Sequence, residues 1–202
     1  MKKLFILFIL LIGMDFLVFS LSESWLNIGF EHGSFFESAS VQGNTEESYI
    51  GSLGINISSY MFWDNKNVGF LIHGIFAIPI TPIVKVDYIY FQNGFIYGVG
   101  FRHQFNEKLF LKYGVGLNLM VPQSLSGVDI NLGIGGDIGL KYDITNTIFF
   151  TIGSIFTIDF ANYKILTIRR MIFGIDHGWA NNYYMIGLRP YISIGINWQR
   201  NT

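Results

Sequence analysis

The sequence predicts an all-β fold, an eight-stranded antiparallel up-and-down barrel that crosses a membrane on strands, with short periplasmic turns and long extracellular loops. Three observations predict it. Apolar and non-apolar residues alternate in eight segments, the connections between them are alternately short and long, and the non-apolar face of the strands is rich in glycine. A period of two residues is the signature of a strand with two different faces.

Composition narrows the class of protein before any motif is considered. Half of the 202 residues are hydrophobic and 13% are charged, with a formal charge of −1, whereas a typical soluble domain carries about 25% charged residues. Proteins that bind nucleic acid usually carry a basic stripe, so this charge balance argues against a nucleic-acid partner. The absence of cysteine excludes disulfides, thiolate metal sites and a lipid-anchored N-terminal cysteine, and no cofactor is expected.

The first 22 residues resemble a secretory signal peptide. Lys2 and Lys3 precede a short apolar run, and Ser20-Leu21-Ser22 offers the small residues that signal peptidase requires. A retained membrane anchor is the alternative, but Asp15 interrupts the run before it reaches the ~20 residues of a spanning helix. We therefore divide the chain into a signal peptide, residues 1–22, and an outer-membrane barrel, residues 23–202.

The alternation is clearest in VDINLGIGGDIGLKYD, residues 128–143, where the even positions are mostly aliphatic and the odd positions are Asp, Asn, Gly or Lys. Seven other segments repeat it. They start near residues 26, 52, 68, 95, 109, 148 and 184. Pro190 lies inside the last segment, where it removes a ladder hydrogen bond, so a bulge is expected there.

Connection lengths indicate the topology. Residues 63–67, 106–108 and 144–147 form short turns, and residues 37–48, 78–93, 121–127 and 161–182 form long loops. An even number of strands places both termini at the short-turn end. The apolar segment 161–182 either extends the flanking strands or forms a small element of its own.

The barrel could place its apolar face inside, as in a soluble lipocalin-like barrel, or outside against lipid. Three features favour lipid. Glycine on the polar face suits a narrow lumen, the charges there are few and of both signs, and aromatic residues cluster toward strand ends, as in an interfacial girdle. The predicted girdle contains Trp25, Tyr113, Tyr142, Tyr184 and Trp198.

These features resemble the small eight-stranded outer-membrane proteins: the OmpA transmembrane domain, OmpX, OmpW and the opacity proteins. The last strand, Ser193-Ile-Gly-Ile-Asn-Trp198, is similar to the signal that such proteins present to the barrel-insertion machinery, although four residues follow the aromatic. The resemblance implies outer-membrane lipid, the insertion machinery and a host or surface ligand as partners, and a monomeric barrel in the bacterial outer membrane.

Charged residues on the inner face form the first candidate site. With a turn at residues 106–108, Arg102 falls across from Lys112, and counting along the next strand brings Asp137 near Lys112. Glu31 and Arg189 are expected to pair where the first and last strands meet. The set is interpreted either as a gate or as a structural network that fills the lumen.

The remaining motifs are weaker. His32 and Ser34 share the lipid face and resemble the His-x-Ser of lipid A deacylases, but an interfacial strand end is the simpler interpretation. Arg169 and Arg170, in the last long loop, could bind lipid phosphates or a partner. The glycine-rich run 133–139 lacks dinucleotide spacing, and the four histidines lack metal-ligand spacing.

Two function classes follow. The first is a non-enzymatic structural or surface-interaction barrel that acts through its extracellular loops. The second is an OmpW-like conduit for small apolar solutes, supported by a mixed inner face around Leu71, Ile75, Ile155 and Met185. A lipid A-modifying barrel enzyme is a remote third. An apolar cavity along the lumen would favour the conduit, and a salt-bridged plug would favour the loops.

Overall fold

The computed structural model describes residues 21–41, 44–63, 66–80, 91–124, 127–166, 178–179 and 181–199. All regular structure in these ranges is strand. The strands are β1 (Leu21–Val41), β2 (Asn44–Trp63), β3 (Val68–Pro79), β4 (Phe91–Gln104), β5 (Leu109–Ser124), β6 (Gly127–Asp143), β7 (Ile148–Leu166), β8 (Gly178–Trp179) and β9 (Asn181–Gln199). The predicted signal peptide lies outside the described residues, except for Leu21 and Ser22, which begin β1.

Eight long strands close into an antiparallel barrel, which confirms the predicted fold. Each strand pairs with its neighbour in sequence, β7 pairs with β9, and β1 pairs with β9 to complete the circle. The two-residue β8 only adds to the end of β7, opposite Tyr163 and Lys164.

The register gives the barrel its stagger. The path of paired residues that leaves β1 at Trp25 passes around all eight strands and returns to β1 at Phe35, ten residues farther along. It runs through Tyr60, Leu71, Gly98, Gly116, Gly135, Thr157 and Gly187. Closure with such a stagger requires strands that tilt about 35–45° from the barrel axis. Side chains far apart in sequence therefore share one level of the lumen.

The alternation sorts side chains between lipid and lumen as predicted. Apolar residues such as Phe30 and Leu117 are 70% and 72% exposed on the outside, while their neighbours in sequence point inward. No helix among the described residues is long and apolar enough to cross a bilayer. An outer surface this apolar around a closed barrel is the surface of an outer-membrane barrel, whose outward residues meet lipid.

Short turns close one end of the barrel, here called the turn end. Asn106 Oδ1 accepts hydrogen bonds from the backbone N–H groups of Lys108 and Leu109, each at 2.9 Å. Thr145 Oγ1 accepts from Thr147 and Ile148 at 3.2 and 2.9 Å. Side chains of Asn and Thr thus satisfy the turn backbone, which is the reason these residue types predict turns. The opposite end is called the loop end.

The prediction of a long loop is wrong for two of the four segments. Residues 37–48 are mostly strand, since β1 and β2 stay paired as far as Val41 and Asn44. Residues 121–127 are mostly strand as well, since Ser124 pairs with Gly127. Apolar alternation stops where a strand leaves the bilayer, but the backbone ladder continues in water, so the sequence pattern ends before the strand does.

Two residue predictions also fail. Pro190 causes no bulge, because β9 keeps one register with β7 along its whole paired length. Trp25 does not belong to the aromatic girdle, because its side chain is fully buried inside the barrel. It has the same parity as Asn27 and Gly29, and parity, rather than aromatic character, decides which face of a strand a side chain occupies.

Candidate functional site

The middle of the lumen holds a buried carboxylate, Asp137 on β6, bonded to residues of several other strands. Its Oδ2 accepts hydrogen bonds from Lys112 Nζ at 3.0 Å and from the Tyr60 hydroxyl at 2.8 Å. Its Oδ1 accepts from the Tyr191 hydroxyl at 2.7 Å. His73 Nδ1 lies 3.7 Å from Oδ2. We call these five residues the Asp137 cluster.

Glycines make room for the rings of this cluster. A Cβ added to Gly153 would lie 2.6 Å from the Tyr191 hydroxyl, and one added to Gly100 would lie 2.7 Å from the Tyr60 ring. Such contacts are far shorter than van der Waals distance, so the inner face alternates glycine with large side chains. This is the use of small residues expected in an eight-stranded lumen.

The turn end of the lumen is filled by aromatic rings around cations. Lys141 Nζ lies 4.3 Å from the centroid of Trp25, 4.5 Å from Phe110 and 4.7 Å from Phe149, within the range of cation–π attraction. Phe62 packs edge-on against Trp25 with 4.7 Å between centroids. These five residues are the basal aromatic cluster.

Acidic groups neutralise the cations at this level. Glu23 forms an ion pair with Arg102, whose guanidinium lies 4.5 Å from the centroid of Phe62. Lys141 Nζ donates to Asp143 Oδ1 at 2.5 Å, and Asn197 Nδ2 donates to the same oxygen at 2.9 Å. Aromatic rings therefore close the turn end, and each cation among them has an acidic partner.

Toward the loop end the lumen contains a third layer around Arg189. Its Nη1 lies 3.6 Å from Glu31 Oε1. This is the separation of an ion pair, and it is longer than a hydrogen bond. The guanidinium carbon lies 4.4 Å from the centroid of Phe35. Asn118 Nδ2 donates to Asp159 Oδ1 at 2.6 Å. All five side chains are buried.

The structure brings some predicted site residues together and separates others. Lys112 contacts Asp137, and Glu31 faces Arg189 where β1 meets β9, as the sequence suggested. Arg102 does not join Asp137: although it is paired in register with Lys112, its side chain lies closer to the turn end and pairs with Glu23. The prediction that Arg102, Lys112 and Asp137 form one cluster is therefore wrong for Arg102.

Five partners were missed: Tyr60, His73, Tyr191, Glu23 and Lys141. Each has the parity of the lumen face, and this was the available signal. Neighbouring strands could be aligned by counting from turns, but contacts across the lumen depend on the ten-residue stagger. Arg169 and Arg170, from the last long connection, lie outside the described residues.

The other motifs do not converge on a catalytic or metal site in the described strands. His32 Nδ1 bonds to the Ser52 carbonyl oxygen at 3.0 Å, and the Ser34 hydroxyl accepts from Tyr49 at 2.9 Å, so no hydrogen bond joins His32 to Ser34 there. No three His, Asp or Glu side chains among the described residues are grouped to hold a metal ion.

Comparison with known proteins supports the fold. No protein-family model matches the chain, and no curated protein sequence does. Solved structures of outer-membrane proteins do match the chain, among them two crystal structures. Neisserial surface protein A, NspA, is 13% identical, with 88% of this chain and 97% of that chain covered and a TM-score of 0.52. The outer membrane protein OprG from Pseudomonas aeruginosa is 11% identical, with 90% and 98% covered and a TM-score of 0.59. By its fold and its apolar exterior, this chain is a small eight-stranded outer-membrane β-barrel.

Proposed function

We propose that this barrel is a non-enzymatic surface protein whose lumen is closed and whose contacts with other molecules are made at the loop end. The observation that carries the proposal is the stacking of three filled layers in the lumen. The basal aromatic cluster, the Asp137 cluster and the Arg189 layer lie one above the other and draw side chains from every long strand except β4.

The length of the strands supports the second half of the proposal. A tilted membrane strand needs about 9–11 residues, whereas β1 has 21 residues and β2 has 20. The paired hairpin therefore continues well beyond the bilayer at the loop end. In the orientation usual for this fold, with short turns in the periplasm, the hairpin stands on the cell surface, available to a host or surface ligand.

An OmpW-like conduit is the second candidate, because apolar residues also face the lumen. Leu71, Ile75 and Ile155 are completely buried inside. They do not form an uninterrupted apolar path, since His73 lies between Leu71 and Ile75 on β3 and reaches Asp137. The salt-bridged layers favour the closed barrel.

Planar bilayer recording and epitope display test the proposal together. The purified barrel should give no steady conductance. An epitope inserted between Val41 and Asn44 should be reached by antibody on intact cells, whereas one inserted at residues 144–147 should be reached only after the outer membrane is opened. Steady conductance would contradict the closed lumen, and labelling at residues 144–147 on intact cells would contradict the orientation.

A further inference from the structure

A polar island interrupts the apolar outer surface near the loop end. His32 and Ser34 on β1 point outward, and Tyr49 on β2 is 63% exposed beside them. The exposed apolar residues Phe30 and Leu53 flank them. Polar groups that face lipid cost free energy unless they have a hydrogen-bonding partner, so an island here requires an explanation.

The backbone ladder is broken at the same place. β1 and β9 pair at Glu31 with Tyr191 and again at Ser34 with Leu188, but not at the two positions between. Pro190 lies there and has no N–H group. Antiparallel pairs are alternately hydrogen-bonded and non-hydrogen-bonded, and one missing bond from Pro190 to the His32 carbonyl oxygen accounts for both absent pairs.

The chemistry of the island follows from the bonds already made. A carbonyl oxygen only accepts, so His32 Nδ1 is the donor to Ser52, and Nε2 is left for an outside partner. Ser34 Oγ accepts from the Tyr49 hydroxyl, so its own O–H is free to donate. The island therefore presents a backbone acceptor, a ring nitrogen and a hydroxyl to lipid.

The depth of the island indicates which part of a lipid it meets. The rings of Phe36 and Tyr184 lie 6.0 Å apart between centroids, tilted by 38° to each other, on the same outer face, and aromatic residues at the end of a membrane strand sit at headgroup level. His32 lies four residues before Phe36 on β1, about 13 Å along the strand at 3.3 Å per residue. Allowing for tilt, the island lies just below the headgroups, where acyl chains are linked.

We propose that this island binds a lipid of the leaflet at the loop end whose acyl linkage carries hydroxyl or amide N–H donors, as hydroxyacylated glycolipids do. A donor of the lipid replaces the N–H that Pro190 lacks at the His32 carbonyl, and the Ser34 hydroxyl bonds to an acyl-linkage oxygen. The site binds without chemistry on the lipid, and it does not depend on what the loops contact.

Native mass spectrometry of the intact barrel tests the site. The barrel is equilibrated with phosphatidylcholine, which has no donor, phosphatidylglycerol, which is anionic, and lipid A, which is anionic and hydroxyacylated. The wild-type barrel should retain lipid A in preference to both. Pro190→Ala restores the ladder donor and should lower that preference about threefold to tenfold, the effect of one hydrogen bond. Ser34→Ala removes the hydroxyl that bonds to the acyl-linkage oxygen and should lower it by a similar factor.

Leu117→Ala, on the lipid face of β5 across the barrel, is the control and should retain lipid A like the wild type. Heat-modified gel migration verifies that each variant is folded. Equal retention of the three lipids by the wild type would overturn the proposal, as would unchanged retention by folded Pro190→Ala. Phosphatidylglycerol has hydroxyl donors only in its headgroup, so its retention as strongly as lipid A would show that charge or the headgroup, and not a donor at the acyl linkage, is recognised, and would overturn the proposal too. The measurement uses no membrane orientation, so its failure is distinct from failure of the proposed function.

Discussion

Lys112 and Asp137 meet in the middle of the lumen with 3.0 Å between Nζ and Oδ2, and both side chains are completely buried. The hydroxyls of Tyr60 and Tyr191 also donate hydrogen bonds to this carboxylate. A buried ion pair contributes little net stability, but loss of one partner leaves an unpaired charge in a medium of low dielectric constant. Once either residue is present in the closed lumen, its partner is therefore required as well.

Asp137→Asn tests this dependence. It should destabilise the barrel by about 3–5 kcal/mol, because Lys112 is left buried without a counter-charge. Adding Lys112→Met to it should recover part of the loss. Urea unfolding of the barrel in lipid vesicles measures both variants. If Asp137→Asn unfolds within about 1 kcal/mol of the wild type, the pair is not a dependent unit.

Gly153 tests the packing of glycine against rings. Gly153→Ala should destabilise the barrel by about 1–3 kcal/mol, the usual cost of overpacking, since the new methyl group would press on the Tyr191 hydroxyl and on the Ile138 carbonyl oxygen, each 2.6 Å away. Gly74→Ala is the matched control, because its nearest neighbour, the Ile57 carbonyl oxygen, lies at 3.5 Å. The thermal midpoints of gel migration compare them, and equal midpoints would refute the packing argument.

The basal aromatic cluster, rather than Arg102, should close the turn end. Trp25→Ala removes the ring shared by Lys141, Phe62 and Phe110, so it should cost about 3–5 kcal/mol of stability, while the Asp137 cluster and the Arg189 layer above it should keep the lumen closed and the bilayer silent. Arg102→Ala should leave the bilayer silent, because the rings and Lys141 still fill the section. Conductance in Arg102→Ala alone would restore the hypothesis that Arg102 is a gate.

Because the chain has no cysteine, single cysteine substitutions can map its topology without background labelling. An impermeant maleimide should label Thr45→Cys, at the loop end of β2, on intact cells. It should label Lys108→Cys, in the second short turn, only after the outer membrane is permeabilised. The reverse pattern would show that the barrel is inserted upside down.

Alternation along each strand was enough to predict the barrel and the inward direction of Lys112, Asp137 and Arg189. Asp137 could also be placed near Lys112, since β5 and β6 are neighbours and residues two apart across a ladder stay within reach of a long side chain. Parity alone would have placed Trp25 correctly. Its aromatic character was given more weight than its position.

What the sequence by itself determined is which side of each strand faces lipid, because a two-residue period is a local property of the chain. The tertiary structure decided which inward side chains meet. Tyr60 and Tyr191 reach Asp137, and Glu23 rather than Asp137 pairs with Arg102, because the ten-residue stagger at closure sets the height of each strand in the lumen. That stagger is a property of the complete hydrogen-bonded circle, which no single segment of the sequence contains.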